Sequence, residues 1–212
     1  MPLAGIDVSH HNGAVWWPDV AASGVRFAYV RTGDGDVRDR TFADNWRDSR
    51  RAGVLRGAYH YVRPHDPQAQ ADALCDAIGA AGGLCVDDLP PAADVETPDG
   101  KTPHAVVECA LAFAQRVETR LGRALVLYTN PATAAALGVE FARLAHRYPT
   151  LWLAHYGVRV PRVPAPYFVA AFWQHACDAV VPGVRGPCDA NVYPGDERGL
   201  RALIAMSEVM AS

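Results

Sequence analysis

The chain lacks any recognisable pattern among its five cysteines. There is no Cys-x-x-Cys pair and no Cys-His spacing of a zinc site, so we expect no bound metal. The odd number excludes a framework in which every cysteine is disulfide-bonded. Cys177 and Cys188, which flank a short predicted connection, are the candidates for a single bridge.

Basic runs and long apolar runs are also missing. Twenty basic and 23 acidic residues give a formal net charge of -3, which is not the footprint of a nucleic-acid-binding surface. No apolar stretch approaches the roughly 20 residues of a membrane-spanning helix, and no signal segment precedes the first predicted strand. We therefore expect neither a nucleic-acid partner nor membrane insertion.

The glycine-rich turn of a dinucleotide-binding sheet is absent too. The first predicted strand is followed by Ser9-His10-His11-Asn12-Gly13, so we expect no nucleotide cofactor. The two adjacent histidines would point apart in an extended segment and could not chelate one ion together. We interpret the eight histidines of the chain as hydrogen-bonding residues rather than metal ligands.

What is present is a set of acids next to apolar strands. Asp94 and Glu96 are separated by one residue, and side chains at i and i+2 of a strand lie on one face. Asp7 and Asp189 also follow short apolar runs, in positions that we interpret as strand ends. Burying carboxylates is costly unless a site needs them, so the pattern indicates an enzyme that works with carboxylates.

The periodicity of the apolar residues predicts an α/β fold in a single domain, residues 1–212. The predicted strands are 3–8, 25–31, 55–62, 91–96, 123–129, 150–155, 167–174 and 187–192. The predicted helices are 15–23, 39–52, 67–79, 102–121 and 131–147. Five strand-helix units followed by three strands without helices predict a modified TIM-like (β/α)5(β)3 barrel, whose site would lie at the carboxyl ends of the strands.

Aromatic side chains near those strand ends are candidates for sugar-stacking platforms. They are Tyr59, Tyr61, Tyr128, Trp152, Tyr156 and Trp173. The tryptophans in helical patterns, Trp16, Trp17 and Trp46, are expected to pack instead. Clustered acids raise one another's pKa, which would keep one of them protonated as a general acid near neutral pH.

Several of these motifs resemble glycoside hydrolase family 25, the Chalaropsis-type lysozymes, in order and spacing. The matching segments are Gly5-Ile6-Asp7-Val8-Ser9, Phe42 to Gly57, Tyr59-His60-Tyr61, Asp94-Val95-Glu96, Leu151 to Tyr156, Phe172-Trp173-Gln174, and Pro182 to Asn191. One departure is Arg31-Thr32-Gly33-Asp34-Gly35, where the family usually carries a Lys-Ala-Thr-Glu-Gly type segment.

The resemblance implies a peptidoglycan hydrolase that cuts the β-1,4 bond between N-acetylmuramic acid and N-acetylglucosamine. It assigns Glu96 as general acid/base and places Asp94 beside the substrate's acetamido group; direct attack by an Asp stays open. Asp7 and Asp189 would be supporting acids. The implied partners are peptidoglycan glycan strands, and we expect a monomer that acts at the bacterial cell wall.

The same residues leave two alternative functions and more than one origin open. A chitinase is disfavoured because the longer acidic strand motif of chitinase barrels is missing, with Asp87 and Asp88 out of register for it. A non-catalytic wall-binding or phage structural module on the same fold would gain little from a costly carboxylate cluster. A catalytic domain without a signal fits either a phage endolysin or a piece of a larger protein.

Overall fold

The computed structural model describes residues 1–208, which form nine strands and seven α-helices. The strands are β1 Leu3–Val8, β2 Val25–Asp34, β3 Val37–Arg38, β4 Leu55–Tyr61, β5 Ala92–Asp94, β6 Val126–Thr129, β7 Thr150–Ala154, β8 Phe172–Ala179 and β9 Cys188–Tyr193. The helices are α1 Trp17–Ala22, α2 Phe42–Arg51, α3 Pro67–Ala80, α4 Pro103–Leu121, α5 Pro131–Leu137, α6 Phe141–Arg147 and α7 Glu197–Met206.

Eight of the strands close into a barrel. Their order is β1-β9-β8-β7-β6-β5-β4-β2, and pairing of β1 with β2 completes the ring. In this ring, β1, β2, β4, β5, β6, β7 and β8 run parallel to one another, whereas β9 runs antiparallel to both of its neighbours. The predicted (β/α)5(β)3 barrel is confirmed, with the two-residue strand β3 added as a hairpin on β2.

Side chains alternate between two apolar clusters along each strand. One cluster lies between barrel and helices; the other fills the barrel interior and includes Phe27, Tyr29 and Phe172. Gly5 makes room for Phe27, since a Cβ on Gly5 would lie 2.3 Å from the ring of Phe27. Gly57 does the same for Tyr29, with a Cβ distance of 2.5 Å. Large rings therefore fill the lower barrel and leave the other end to polar residues.

The sequence analysis missed the C-terminal helix, α7. Leu200 and Ile204 of this helix are buried in the interior cluster of the barrel. The backbone N–H of Ala124, just before β6, donates to the carbonyl of Ser207 at 2.7 Å. The helix thus covers apolar side chains at the amino-terminal end of the barrel, where they would otherwise meet water.

Several predicted elements have different bounds in the structure, and three of them bear on the shape of the barrel. The helix predicted over 131–147 is two helices, α5 and α6, because Gly138 (φ 57°) ends the first and a 3-10 turn follows. The strand predicted over 167–174 begins at Phe172, since the preceding residues belong to the connection along the outside of the barrel. The strand predicted over 91–96 ends at Asp94.

The expected bridge between Cys177 and Cys188 is wrong. All five cysteines are free thiols, with Cys177 exposed and Cys188 buried. The antiparallel pairing of β8 with β9 places Cys188 opposite Ala179, and the thiol of Cys188 points to the carbonyl of Asp7 at 3.7 Å. The register therefore separates the two sulfurs, although the sequence places both beside the same hairpin.

No helix within residues 1–208 is long and apolar enough to cross a membrane.

Candidate active site

The carboxyl ends of the parallel strands surround an open cavity of about 330 Å³, which we call the mouth cavity. All four acids predicted from the sequence line it. Its other lining residues are Ser9, His11, Asn12, Arg31, Tyr59, Tyr61, Tyr128, Trp152, Tyr156, Gln174, Cys177 and Pro187. The barrel thus brings residues from eight strands to one place.

Asp94 and Glu96 share a face although the strand ends at Asp94. Val95, between them, is 2% exposed and packs in the outer cluster, so its neighbours on either side face the mouth. The i, i+2 argument therefore identified two side chains of one cavity.

Asp189 reaches the mouth by a different route from the one expected. It lies near the beginning of β9, not at a strand's carboxyl end. Because β9 is antiparallel to β1, its first residues lie at the edge where β1 ends, and Asp189 is directly opposite Asp7. The two carboxyl groups therefore face each other across one pair of strands.

The Asp7 carboxyl is supplied with hydrogen bonds. Its Oδ2 accepts from the side-chain amides of Asn191 at 2.7 Å and Gln174 at 2.8 Å. Burial raises the pKa of Asp7, and hydrogen bonds from Asn191, Gln174 and Asp189 oppose that rise. Burial together with the Asp7 charge raises the pKa of Asp189 to about 8. The amide hydrogen bonds therefore favour the ionised form of Asp7, and the repulsion between the two acids favours a proton on Asp189.

Asp94 is buried with far less support. It is 5% exposed, and its Oδ1 has no hydrogen-bond partner among the described residues. Burial, followed by the charges of Glu96 and Asp7, raises the pKa of Asp94 well above its usual range. A buried carboxylate oxygen without a donor is costly, so this oxygen is ready to accept a donor from a bound molecule.

Glu96 is half-buried and held through its backbone. The hydroxyl of Thr133, on α5, donates to the Glu96 carbonyl at 3.1 Å, and Asn130 lies 3.5 Å from its carboxylate. Burial raises the pKa of Glu96, which favours the protonated form. A protonated carboxyl at an open cavity can deliver its proton to a leaving oxygen.

Arg31 is the one arginine that lines the mouth cavity within the described residues. Asp39, which is buried, accepts from Arg31 Nε at 3.1 Å and fixes the guanidinium, while Arg31 Nη2 approaches His10 Nδ1 at 2.7 Å. The Arg31 charge lowers the pKa values of Asp7 and Asp94 against the effect of burial. The segment that departs from the family pattern therefore supplies a cation to the acid cluster.

Five of the six predicted aromatic residues line the mouth cavity, namely Tyr59, Tyr61, Tyr128, Trp152 and Tyr156. Trp152 is 1% exposed and stacks on Tyr29 (ring centroids 4.5 Å apart), so it forms the floor. Tyr156 is 43% exposed and lies at the rim, while Tyr61 carries the Arg63 guanidinium over its ring at 4.3 Å. Tyr61 and Tyr156 thus offer more accessible surface than Trp152.

Trp173 is not brought to the site. Its neighbours on β8, Phe172 and Gln174, face the barrel interior, so the alternation of the strand turns Trp173 outward. Its ring N–H donates to the carbonyl of His155 at 2.9 Å. The structure therefore does not bring Trp173, which was predicted as a sugar-stacking residue, into the mouth cavity.

Sequence reasoning did not single out Gln174 and Asn191 as site residues. Both follow inward-facing residues by two positions, Phe172 and Asp189, so the period-2 rule could have found them. Gln174 also accepts from the Tyr128 hydroxyl at 2.8 Å, and Asn191 from the Trp152 ring N–H at 2.7 Å. These two amides connect the acids to the aromatic floor.

His60 and His155 form hydrogen bonds with the backbone. His60 is buried and its ring contacts the carbonyl of Gly35 at 3.1 Å; burial lowers its pKa to about 4. His155 accepts from the backbone N–H of Arg162 at 2.9 Å. Over residues 1–208, no three His, Cys, Asp or Glu side chains are grouped as a metal site.

Known proteins that are similar to this chain in sequence or structure include lysozymes and muramidases. Lysozyme M1 of Streptomyces globisporus is 32% identical over 211 residues, covering 95% of this chain and 71% of that protein. The bacterial lysozyme from Streptomyces coelicolor superimposes with a TM-score of 0.86 at 31% identity, covering 97% and 98% of the two chains. The muramidase from Trichobolus zukalii gives a TM-score of 0.84 at 25% identity, covering 96% and 99%.

The family model described as glycosyl hydrolases family 25 matches residues 6–184, which include Asp7, Asp94 and Glu96. This match confirms the resemblance found in the sequence motifs. The chain belongs to glycosyl hydrolases family 25.

Proposed function

We propose that this enzyme is an N-acetylmuramidase, which hydrolyses the β-1,4 bond between N-acetylmuramic acid and N-acetylglucosamine in peptidoglycan. The relatives named lysozyme and muramidase support this substrate, and the acid-lined mouth with its tyrosines fits a sugar chain. A peptidoglycan substrate would place the action of the enzyme at the bacterial cell wall.

Glu96 is the general acid/base in this proposal. Its raised pKa favours the protonated form, which can protonate the glycosidic oxygen as the bond to the anomeric carbon breaks. The resulting carboxylate then takes a proton from the water that attacks the same carbon. The pKa of Glu96 therefore sets the upper pH limit of activity, since activity falls once Glu96 is ionised in the free enzyme.

The observation that carries the role of Asp94 is its buried Oδ1 without a donor. The N–H of the substrate's acetamido group is such a donor, and a hydrogen bond to it stabilises the ionised form of Asp94. An acetamido group held in this way can attack the anomeric carbon through its carbonyl oxygen, which forms a cyclic intermediate as the leaving oxygen departs. Water then opens that ring, and two displacements give net retention.

Asp7, Asp189 and Arg31 set the charge of the site. Asp7 shares its pair's proton with Asp189 and takes amide donors, so this pair contributes one negative charge rather than two at neutral pH. One charge near the anomeric carbon supports an oxocarbenium-like transition state, and Arg31 limits the repulsion on Asp94.

The open mouth favours a long polymer. No helix in the described residues covers the connections from β7 to β8 and from β8 to β9. Glycan strands of several disaccharides should therefore be cut faster than one disaccharide, because remote binding helps to orient the reacting sugar.

Analysis of the new reducing ends tests the proposal. Purified peptidoglycan is digested, reduced with borohydride and hydrolysed, and the sugar alcohols are identified. We expect muramitol. Glucosaminitol would make the enzyme a glucosaminidase, and no new reducing ends with a folded protein would favour a wall-binding module.

A further inference from the structure

A second cavity, of about 410 Å³, lies beside the mouth cavity, between the connection from β5 to α4 and helix α5. We call it the side cavity. Its walls are largely apolar and include Val106, Ala132, Ala136 and Leu137, with Lys101 at its edge. Ligand sites of 300–1,000 Å³ commonly combine an apolar lining with a few placed polar groups.

The side cavity is continuous with the catalytic residues. Thr97 lines it and directly follows Glu96, and Thr133 lines it while donating to the Glu96 carbonyl at 3.1 Å. A depression of about 360 Å³ shares Ala132 with the side cavity and Glu96 with the mouth cavity, so it lies between the two. A molecule bound across Glu96 could therefore extend into the side cavity.

The two cavities differ in their ionisable side chains. Among the described residues, four carboxyl groups and Arg31 line the mouth cavity, whereas no carboxyl group lines the side cavity. Lys101 is the only lysine of the chain; it is exposed and makes no ion pair with the described residues. A ligand group that carries both methyl groups and a carboxylate suits the side cavity, because its walls are apolar and the ammonium group of Lys101 attracts a carboxylate.

We propose that the side cavity binds the peptide branch of the substrate. This inference rests on the proposed function, because peptidoglycan carries on N-acetylmuramic acid a short peptide rich in alanine methyl groups and free carboxylates. The apolar wall would take the methyl groups and Lys101 would pair with a carboxylate. The site would make branched glycan a better substrate than bare glycan.

The test uses Ala136→Phe, which fills the side cavity from an exposed position of α5. Ala135→Phe is the matched control, since Ala135 is exposed on the same helix and does not line the cavity. Each variant is assayed on intact soluble glycan strands and on the same strands after amidase removal of the peptides. Thermal melting confirms that both variants are folded.

We expect Ala136→Phe to raise the KM for intact strands at least about threefold and to leave kinetics on peptide-free strands unchanged. Lys101→Ala should act in the same direction by about two- to fivefold, the size of one exposed ion pair. Ala135→Phe should match the parent enzyme on both substrates. If Ala136→Phe raises the KM equally for both substrates, the side cavity binds sugar and not peptide. If it changes the KM for neither substrate, the side cavity binds no part of the substrate. Either result overturns the proposal.

A binding measurement separates this proposal from the proposed function. The amidase-released peptide is titrated into the Glu96→Gln protein and into its double variants with Ala136→Phe and Ala135→Phe. Peptide binding that is lost with Ala136→Phe and kept with Ala135→Phe supports the side cavity as a peptide site. If the parent enzyme then cuts neither glycan, the proposed muramidase activity is refuted and the peptide site is not. Binding that survives Ala136→Phe contradicts the proposed site.

Discussion

The mouth cavity holds two pairs of acids that differ in how well the protein supports them. Asp7 and Asp189 face each other on paired strands, and Asp7 receives two short amide hydrogen bonds. Asp94 and Glu96 lie on one chain segment, where Asp94 Oδ1 has no partner among the described residues and Glu96 has one long contact at 3.5 Å. One pair is supported by the fold and the other is open to a substrate.

This difference assigns different tasks to similar residues. A carboxyl that the protein has already supplied with donors has little to gain from a ligand, so the Asp7–Asp189 pair fixes the local charge. A buried carboxyl without donors gains most when a substrate supplies one, so the Asp94–Glu96 pair does the chemistry. The predictions below break or sharpen this division.

The largest effect is expected for Glu96→Gln. The amide keeps the size of the side chain and cannot deliver a proton, so turnover should fall by at least ~100-fold while the fold is kept. Release of reducing ends from peptidoglycan measures the loss. Glu108→Gln is a control, because Glu108 is exposed and paired with Arg143 away from the mouth. Near-parental activity of a folded Glu96→Gln protein would remove Glu96 as the acid.

Asp94→Asn should lower turnover by roughly ten- to a hundredfold, since a preorganised partner of the acetamido group is weakened. No sugar should become attached to the protein during the reaction. Mass spectrometry with a slow substrate checks this in both the parent and the variant. A stable adduct on Asp94 or Asp189 would replace the neighbouring-group route by a covalent one.

Removing a donor from the supported pair should cost stability instead. Asn191→Ala removes one of the two amide donors to Asp7 and leaves the Trp152 ring N–H without its partner, which should lower the free energy of unfolding by roughly 1–3 kcal/mol. Asp94→Asn loses no protein donor at Oδ1 and relieves repulsion, so it should not destabilise. Urea unfolding compares them. Equal destabilisation by both substitutions would erase the contrast between the pairs.

How far the sequence predicts this site depends on whether a residue is placed by local alternation or by distant pairing. Asp94 and Glu96 follow from the period of a strand, and the same rule would have added Gln174 and Asn191. Trp173 fails because nearness to a strand end does not give the direction of the side chain. Asp189 was correctly predicted to lie at the barrel mouth, but as a residue at the carboxyl end of its strand. It reaches the mouth from the beginning of β9, because β9 is antiparallel to both neighbouring strands.

The fold divides in a similar way. The five strand-helix units carry strong periodic signals, and the barrel they predict is confirmed. Helix α7 has a clear apolar stripe, but its place in the fold is apparent only from the structure, where the stripe packs on the apolar side chains at the amino-terminal end of the barrel. The expected bridge between Cys177 and Cys188 failed because the hairpin register, invisible in the sequence, places Cys188 opposite Ala179.

Asp189→Asn should have the smallest effect on catalysis and a distinctive dependence on pH. The pKa of Asp189 is about 8 in the folded protein against 3.8 in the unfolded chain, so its stabilising contribution is complete below pH 3.8 and lost as pH rises to 8. The amide still donates to Asp7 at every pH. The stability of the variant relative to the parent should therefore rise between pH 4 and pH 8, with turnover within about tenfold of the parent.

Urea unfolding of both proteins at pH 4 and pH 8 gives that difference, because the titrating groups outside the Asp7–Asp189 pair are shared and cancel. A difference that stays constant between the two pH values would show that Asp189 does not hold the proton of its pair.

The stereochemistry of the first product tests most directly the claim that the Asp94–Glu96 pair supports two successive displacements at the anomeric carbon rather than one. Proton NMR recorded within the first minutes of cleavage reports the anomer that is released before mutarotation. The account predicts the β anomer, because attack by the acetamido oxygen and then by water inverts the anomeric carbon twice. Initial release of the α anomer would mean a single direct attack by water, and would contradict the role given to Asp94.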